Sequence, residues 1–114
     1  MVDAGVVVGW DRPVPGKERA AVELFGTFTG YLNKLQKDGS IESWEPVLLN
    51  PHGGELNGFI LIRGQRERLN EVVGTDDFRT YVVRGELALE RFGVVNADIG
   101  PGVPRQMTVY SKNI

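Results

Sequence analysis

Apolar residues follow two rhythms along this chain. "GVVVGW" (Gly5–Trp10) is a continuous valine-rich run, the pattern of a strand buried on both faces. "DRPVPGKE" follows with two prolines and a glycine and reads as a loop. From Lys17 to Asp38 the rhythm changes: Ala21, Leu24, Phe25, Phe28, Leu32 and Leu35 recur at helical spacing and make one apolar stripe. Lys34 and Lys37 fall in the last turns, where cations complement the helix dipole, and Gly39 follows as a C′ residue. Gly26 and Gly30 lie four apart on one helix face and leave room there for a close neighbour.

"IESWEPVLLN" (Ile41–Asn50) reads as a second strand, and Pro46 within it argues for an edge position or a bulge, because proline cannot donate to a ladder. "PHGGE" turns the chain. "LNGFILIRG" (Leu56–Gly64) is a third strand, with Phe59 and Leu61 on one face and Ile60 and Ile62 on the other. A second helical region has two parts. "RERLNEVV" carries Leu69, Val72 and Val73; beyond "GTDD", Phe78, Tyr81, Val82, Leu89 and Phe92 recur at helical spacing. Thr75 or Asp76 is the candidate cap for the second part, and Gly85 leaves a gap in its stripe where something can pack closely. "FGVVNADIGPGVPRQ" reads as an irregular Gly/Pro-rich connection with a short apolar piece, Val94 and Val95. "RQMTVYSK" (Arg105–Lys112) reads as the last strand.

The order strand, helix, strand, strand, helix, strand is the ferredoxin-like βαββαβ unit: an α+β fold with an antiparallel sheet and two helices on one face. A chain of 114 residues suits a single domain, 1–114. This layout covers one sheet face only, yet the strands are apolar on both. A bare apolar face of several hundred Å² is unusual on a monomer, and a second copy of the chain in a two-fold homodimer is the economical cover.

In its element order, its two-faced strands and a second helix broken before "TDDFRTYV", the chain resembles the dimeric α+β barrel superfamily. The resemblance covers nearly the whole chain and rests on shape more than on signature motifs. It implies two ferredoxin-like units paired sheet to sheet, with a pocket between sheet and helices or at the barrel mouth. That superfamily includes cofactor-free monooxygenases of polyketide quinones, dehydratases, muconolactone-type isomerases, haem-dependent peroxidases and ligand-responsive regulatory domains. Fold alone does not choose among them.

Charge narrows the partners. The formal net charge is −2 and thirteen Lys and Arg are scattered among fifteen Asp and Glu, so no basic face of the kind a nucleic-acid binder needs is visible. "NGFILIRG" also lacks the aromatic pair and basic flank of an RNA-binding sheet, and no nucleic-acid partner is expected. "RGQRER" (Arg63–Arg68) reads as a solvated helix start rather than a phosphate site. The absence of cysteine excludes thiol chemistry and cysteine-ligated zinc, and it fits a reducing cytoplasm. The apolar run near Met1 is short and has no basic segment before it, so no secretory leader is expected. No stretch reaches the roughly 18 apolar residues of a membrane helix, and no membrane partner is expected.

His52, the single histidine, is the natural general-base candidate, since imidazole titrates near neutrality. The competing reading is a solvated turn residue, because Pro-X-Gly-Gly is turn chemistry in itself. Trp44, Tyr31 and Tyr81 are candidate pocket walls for a flat ligand, and Arg63 is a candidate for orienting a carboxylate or enolate. Core or interface packing is the alternative for each aromatic, and for Trp10 it is the preferred one. One histidine cannot build a multi-histidine metal site, and "GTDD" lacks the spaced ligands of a calcium loop, so neither metal nor cofactor is expected. The leading expectation is a small homodimer that binds a small aromatic or carbonyl-containing molecule, with cofactor-independent monooxygenase- or isomerase-like chemistry as its enzymatic form. The alternative is a non-catalytic ligand-binding or assembly module.

Overall fold

Strand β1 (Ala4–Trp10) is the hub of the fold. It pairs antiparallel with β3 (Gly58–Gly64) on one side and β4 (Gly93–Asp98) on the other, and β2 (Ser43–Leu48) pairs outside β3. The computed structural model describes residues 2–114. Its sheet has the order β2-β3-β1-β4, every pair antiparallel and the sheet open, which is the ferredoxin-like arrangement. Pro46 lies in β2, an edge strand, where its missing N–H costs least.

The two-faced strands sort as their alternation predicts. In β3, Gly58, Ile60, Ile62 and Gly64 are buried, whereas Phe59, Leu61 and Arg63 are partly exposed on the opposite face. Helix α1 (Glu18–Lys37) turns Ala21, Leu24, Phe28, Leu32 and Leu35 onto the inner face. Helices α2 (Arg66–Val73) and α3 (Asp76–Ala88) add Leu69, Val72 and Phe78. Each large side chain fully buried in this layer contributes about 1.5–3 kcal/mol against the entropy of ordering the chain. The break between α2 and α3 falls where "GTDD" places it. The Thr75 hydroxyl accepts from the Phe78 N–H at 3.2 Å and caps α3, and this side of the cap fixes how Phe78 enters the core. Gly85 on α3 is the point of close approach foreseen in its stripe: a side-chain carbon there would stand 2.5 Å from the ring of Phe92. Gly26 and Gly30 differ from expectation, since among the described residues no other part of the chain comes within 4 Å of where their side chains would be.

The C-terminal quarter departs from the sequence reading. The expected last strand, Arg105–Lys112, falls in helix α4 (Gly102–Ser111) and its C-cap, Lys112, and the fourth strand is instead the piece read as a connection, Gly93–Asp98. Two physical causes combine. Pro101 and Pro104 stand at the cap and in the first turn of α4, where proline is tolerated, so they start a helix rather than interrupt a strand. Residues Gly93–Asp98 fit beside β1 in register, Val94 opposite Val8 and Val95 opposite Val7, and this tertiary pairing outweighs their weak local signal. The βαββαβ order survives because one strand still follows α3. The helices number four among the described residues, and none is long and apolar enough to cross a membrane.

Candidate functional site

The layer between sheet and helices is not filled evenly. Around the Trp10 end of β1 it encloses an open cavity of about 300 Å³. The floor is Val8 and Trp10 of β1, Leu48 of β2, Ile60 of β3 and Val94 of β4. The N-terminal half of α1 supplies Ala21, Val22, Leu24, Phe25 and Phe28, and α3 supplies Phe78, Tyr81 and Val82. Pro13, Leu89 and Phe92 close the loop side. Two local devices keep this end hollow. Gly58 lies directly under the Trp10 indole, and a side-chain carbon there would come within 2.7 Å of that ring, so β3 yields its space to Trp10. Trp10 in turn meets Phe25 edge to face, with centroids 6.3 Å apart, and both rings line the cavity.

A polar knot fastens the same end of the sheet. Asp11, directly after Trp10, is buried, and both its oxygens are used: Asn57 donates to one at 2.5 Å and Arg91 to the other at 2.7 Å. Arg91 also reaches Glu55 at 3.2 Å, and it holds a left-handed backbone at φ 50°, a conformation costing about 1–3 kcal/mol in a non-glycine residue. The Asp11 N–H donates to the Glu90 carbonyl at 2.9 Å, while Arg12 pairs with the Glu90 side chain at 3.0 Å. The end of β1, the β2–β3 loop and the turn after α3 are thereby tied together around the cavity's loop side.

The five residues singled out from the sequence do not converge on one point. Tyr81 lines the cavity. Tyr31 stacks on it at 4.8 Å between centroids, and both contact Phe28, at 6.2 and 5.3 Å. Burial pushes the Tyr31 phenol pKa above its ordinary value, and the neighbouring Thr75 side chain offsets part of that rise. Trp44 packs against the core, and its indole N–H donates to Asn33 Oδ1 at 3.2 Å. Arg63 pairs with Glu45 at 2.9 Å across β2 and β3 on the outer sheet face. His52 is exposed in the β2–β3 loop, with both ring nitrogens engaged locally. Nδ1 accepts from the Gly54 N–H at 3.1 Å, and Nε2 lies 2.9 Å from the Leu56 carbonyl, to which its N–H donates. The imidazole pins its own loop. Among the described residues no cluster of three or more His, Cys, Asp or Glu is arranged to hold a metal ion.

Sequence reasoning passed over Phe25 and Phe92 as walls and preferred core or interface packing for Trp10. The signal that could have found them is the pairing of large with absent side chains, Trp10 over Gly58 and Phe92 over Gly85. Periodicity does not register the first pair, whose partners are far apart in sequence, and it counts Phe92, seven residues after Gly85, as one more member of the stripe.

Fold and site together define the class: a ferredoxin-like α+β domain with an apolar cavity between sheet and helices. Solved structures of the same shape include a ferredoxin-like protein described as dimeric and of unknown function from Bacteroides fragilis NCTC 9343. It is 14% identical at TM-score 0.58, over 84% of this chain and 95% of that one. An ethyl tert-butyl ether d (ethd) family protein from Bacillus halodurans C-125 is 11% identical at TM-score 0.64, over 88% and 100%. A dimeric ferredoxin-like protein of unknown function from Jannaschia sp. CCS1 is 9% identical at TM-score 0.63, over 85% and 97%. At these identities the likeness is one of fold. No protein-family model matches the chain, and no curated protein matches it.

Proposed function

We propose that the chain acts as a two-fold homodimer in which each protomer binds a small, flat, aromatic or carbonyl-containing molecule beneath α1 and α3. The cavity carries this reading. Its volume of about 300 Å³ sits at the lower end of the roughly 300–1,000 Å³ span of ligand pockets, and walls rich in aromatic and aliphatic side chains suit a planar apolar guest. Tyr81 is the single titratable side chain among the lining residues. The reading is therefore binding rather than proton transfer, and His52 is assigned to holding its loop. The homodimer rests on the outer sheet face, where Val7, Phe59 and Leu61 are partly exposed and Val95 is 61% exposed, and on the dimeric state of two solved structures of like fold. A cytoplasmic setting fits a chain without cysteine.

The test uses the fact that Trp10 lines the cavity and Trp44 does not. In a Trp44→Phe protein, 1,4-naphthoquinone is expected to quench Trp10 fluorescence saturably. Adding Ala21→Phe, which fills the cavity from α1, is expected to abolish that saturation while the protein stays folded. Equal quenching in both proteins would remove the cavity from the function. Light scattering on a size-exclusion column is expected to give twice the chain mass, and a single-chain mass at every concentration would remove the homodimer.

A further inference from the structure

We propose that α4 is a dimerisation arm whose apolar stripe packs on the second copy of the chain, which makes this inference depend on the homodimer reading above. In α4 every residue after Gly102 is exposed. Yet Val103, Met107 and Tyr110, spaced as one helical stripe, are 46%, 54% and 62% exposed. A helix of ten residues is marginal in water without tertiary contacts, and this one touches its own chain along a different side. Gly102 is buried against the Asp3 carbonyl, and Arg105 pairs with the Asp3 carboxylate, whose pKa that pairing lowers. At about 100° per residue, the centre of the Val103–Met107–Tyr110 stripe lies roughly 140° around the helix from the Gly102–Arg105 side. The arm is anchored by one side and presents its apolar side away from its own protomer.

The arm is continuous with the outer face of the sheet. Asp3 shares the strand parity of Gly5 and Val7, which point outward. Ile99, just before α4, lies 3.7 Å from where a side-chain carbon on Gly5 would stand, beside Leu61. The size of that face also calls for an extension. Four strands about 4.8 Å apart, each rising about 3.3 Å per residue over six or seven residues, give a face of about 400 Å². A stable interface draws about 800 Å² from each partner. The α4 stripe is the apolar surface that adjoins the sheet face and enlarges it toward that area, so a second copy seated on the sheet also meets the arm.

Sedimentation velocity over a concentration series tests the arm. Met107→Asp is expected to weaken self-association by about tenfold or more, since a carboxylate would then enter the contact unpaired. An unchanged association constant would overturn the arm and leave the sheet-to-sheet homodimer standing. A wild-type chain that stays monomeric throughout would overturn both. Because the chain has no cysteine of its own, Met107→Cys carrying a nitroxide label gives a second readout that holds even if the aspartate variant misfolds. The label is expected to move slowly in the dimer and fast when Leu61→Asp breaks the sheet contact. Fast motion in an intact dimer would overturn the proposal.

Discussion

At one end of the inner layer Leu32, Ile62 and Ala4 are all 2% exposed or less, and Ile41, Leu69 and Val72 close around them. At the other end Trp10, Phe25 and Phe92 stand around a void of about 300 Å³. Phe28 and Phe78, edge to face at 5.9 Å, stand at the boundary between the two. Both ends draw on β1, β3 and α1, with α2 completing the closed end and α3 lining the hollow one, and both are built from apolar side chains. The difference lies in where glycine and tryptophan face each other. Close packing at the Leu32 end holds the fold, and the Trp10 end is left free to receive something else. The polar knot of Asp11, Asn57 and Arg91 replaces, at the hollow end, some of the cohesion that side-chain packing gives at the closed one.

The sharpest way to break this contrast is a matched pair of truncations. Leu32→Ala is expected to cost about 3 kcal/mol, within the range for a large buried aliphatic residue that leaves a cavity. Phe25→Ala, at a side chain 37% exposed, is expected to cost under about 1 kcal/mol while weakening naphthoquinone binding. Urea unfolding compares the two, and equal losses would mean that the hollow end is as structural as the closed one. A smaller effect is expected at the junction. Thr75→Ala removes the α3 cap and is expected to cost about 1 kcal/mol. Naphthoquinone binding should fall with it if the entry angle of α3 sets the cavity, and should stay unchanged if it does not.

The smallest effect concerns pH. Burial raises the Tyr31 pKa in the folded state, so the neutral phenol is favoured by folding. That contribution is fully present below the ordinary tyrosine pKa and is lost as pH rises through the higher folded value. In an alkaline titration followed by phenolate absorbance, one tyrosine is expected to ionise late, and Tyr31→Phe should remove that late step. Persistence of the step in the variant would place the buried phenol elsewhere.

Much of this architecture is legible in the residues. The stripe from Ala21 to Leu35, the alternation of Phe59 to Ile62, the edge strand marked by Pro46 and the break at "GTDD" each state their element through local periodicity or a single steric rule. The fourth strand is not legible in that way. "GVVNAD" places only two valines side by side, and its inner positions Asn96 and Asp98 are polar because they lie toward the sheet margin beside Val6 and Ala4. "RQMTVYSK" alternates like a strand through Met107 and Val109, yet its Met107 and Tyr110 also continue a helical stripe that begins at Val103. Pairing with β1 decides between them, and no window of local sequence contains that information. The site was hidden for the same reason. Tyr81 could be proposed from its stripe, whereas the Trp10 wall of the cavity is placed by residues about fifty apart, Trp10 and Gly58, facing each other in the folded sheet.

The position of β1 also governs the order of assembly. It is the first strand in the chain and a central one in the sheet, and its partners are the third and fourth strands, with Ala4 opposite Gly64 on one side and Asp98 on the other. No hairpin can shelter it early, because the nearest strand in sequence, β2, sits at the far edge. Closing such long loops is slow compared with helix formation. A nascent chain therefore carries the valine run Val6 to Val8 without a strand partner until β3 has been made, and with one edge open until β4 follows. During that interval β1 depends on whatever shields an unpaired strand in the cell.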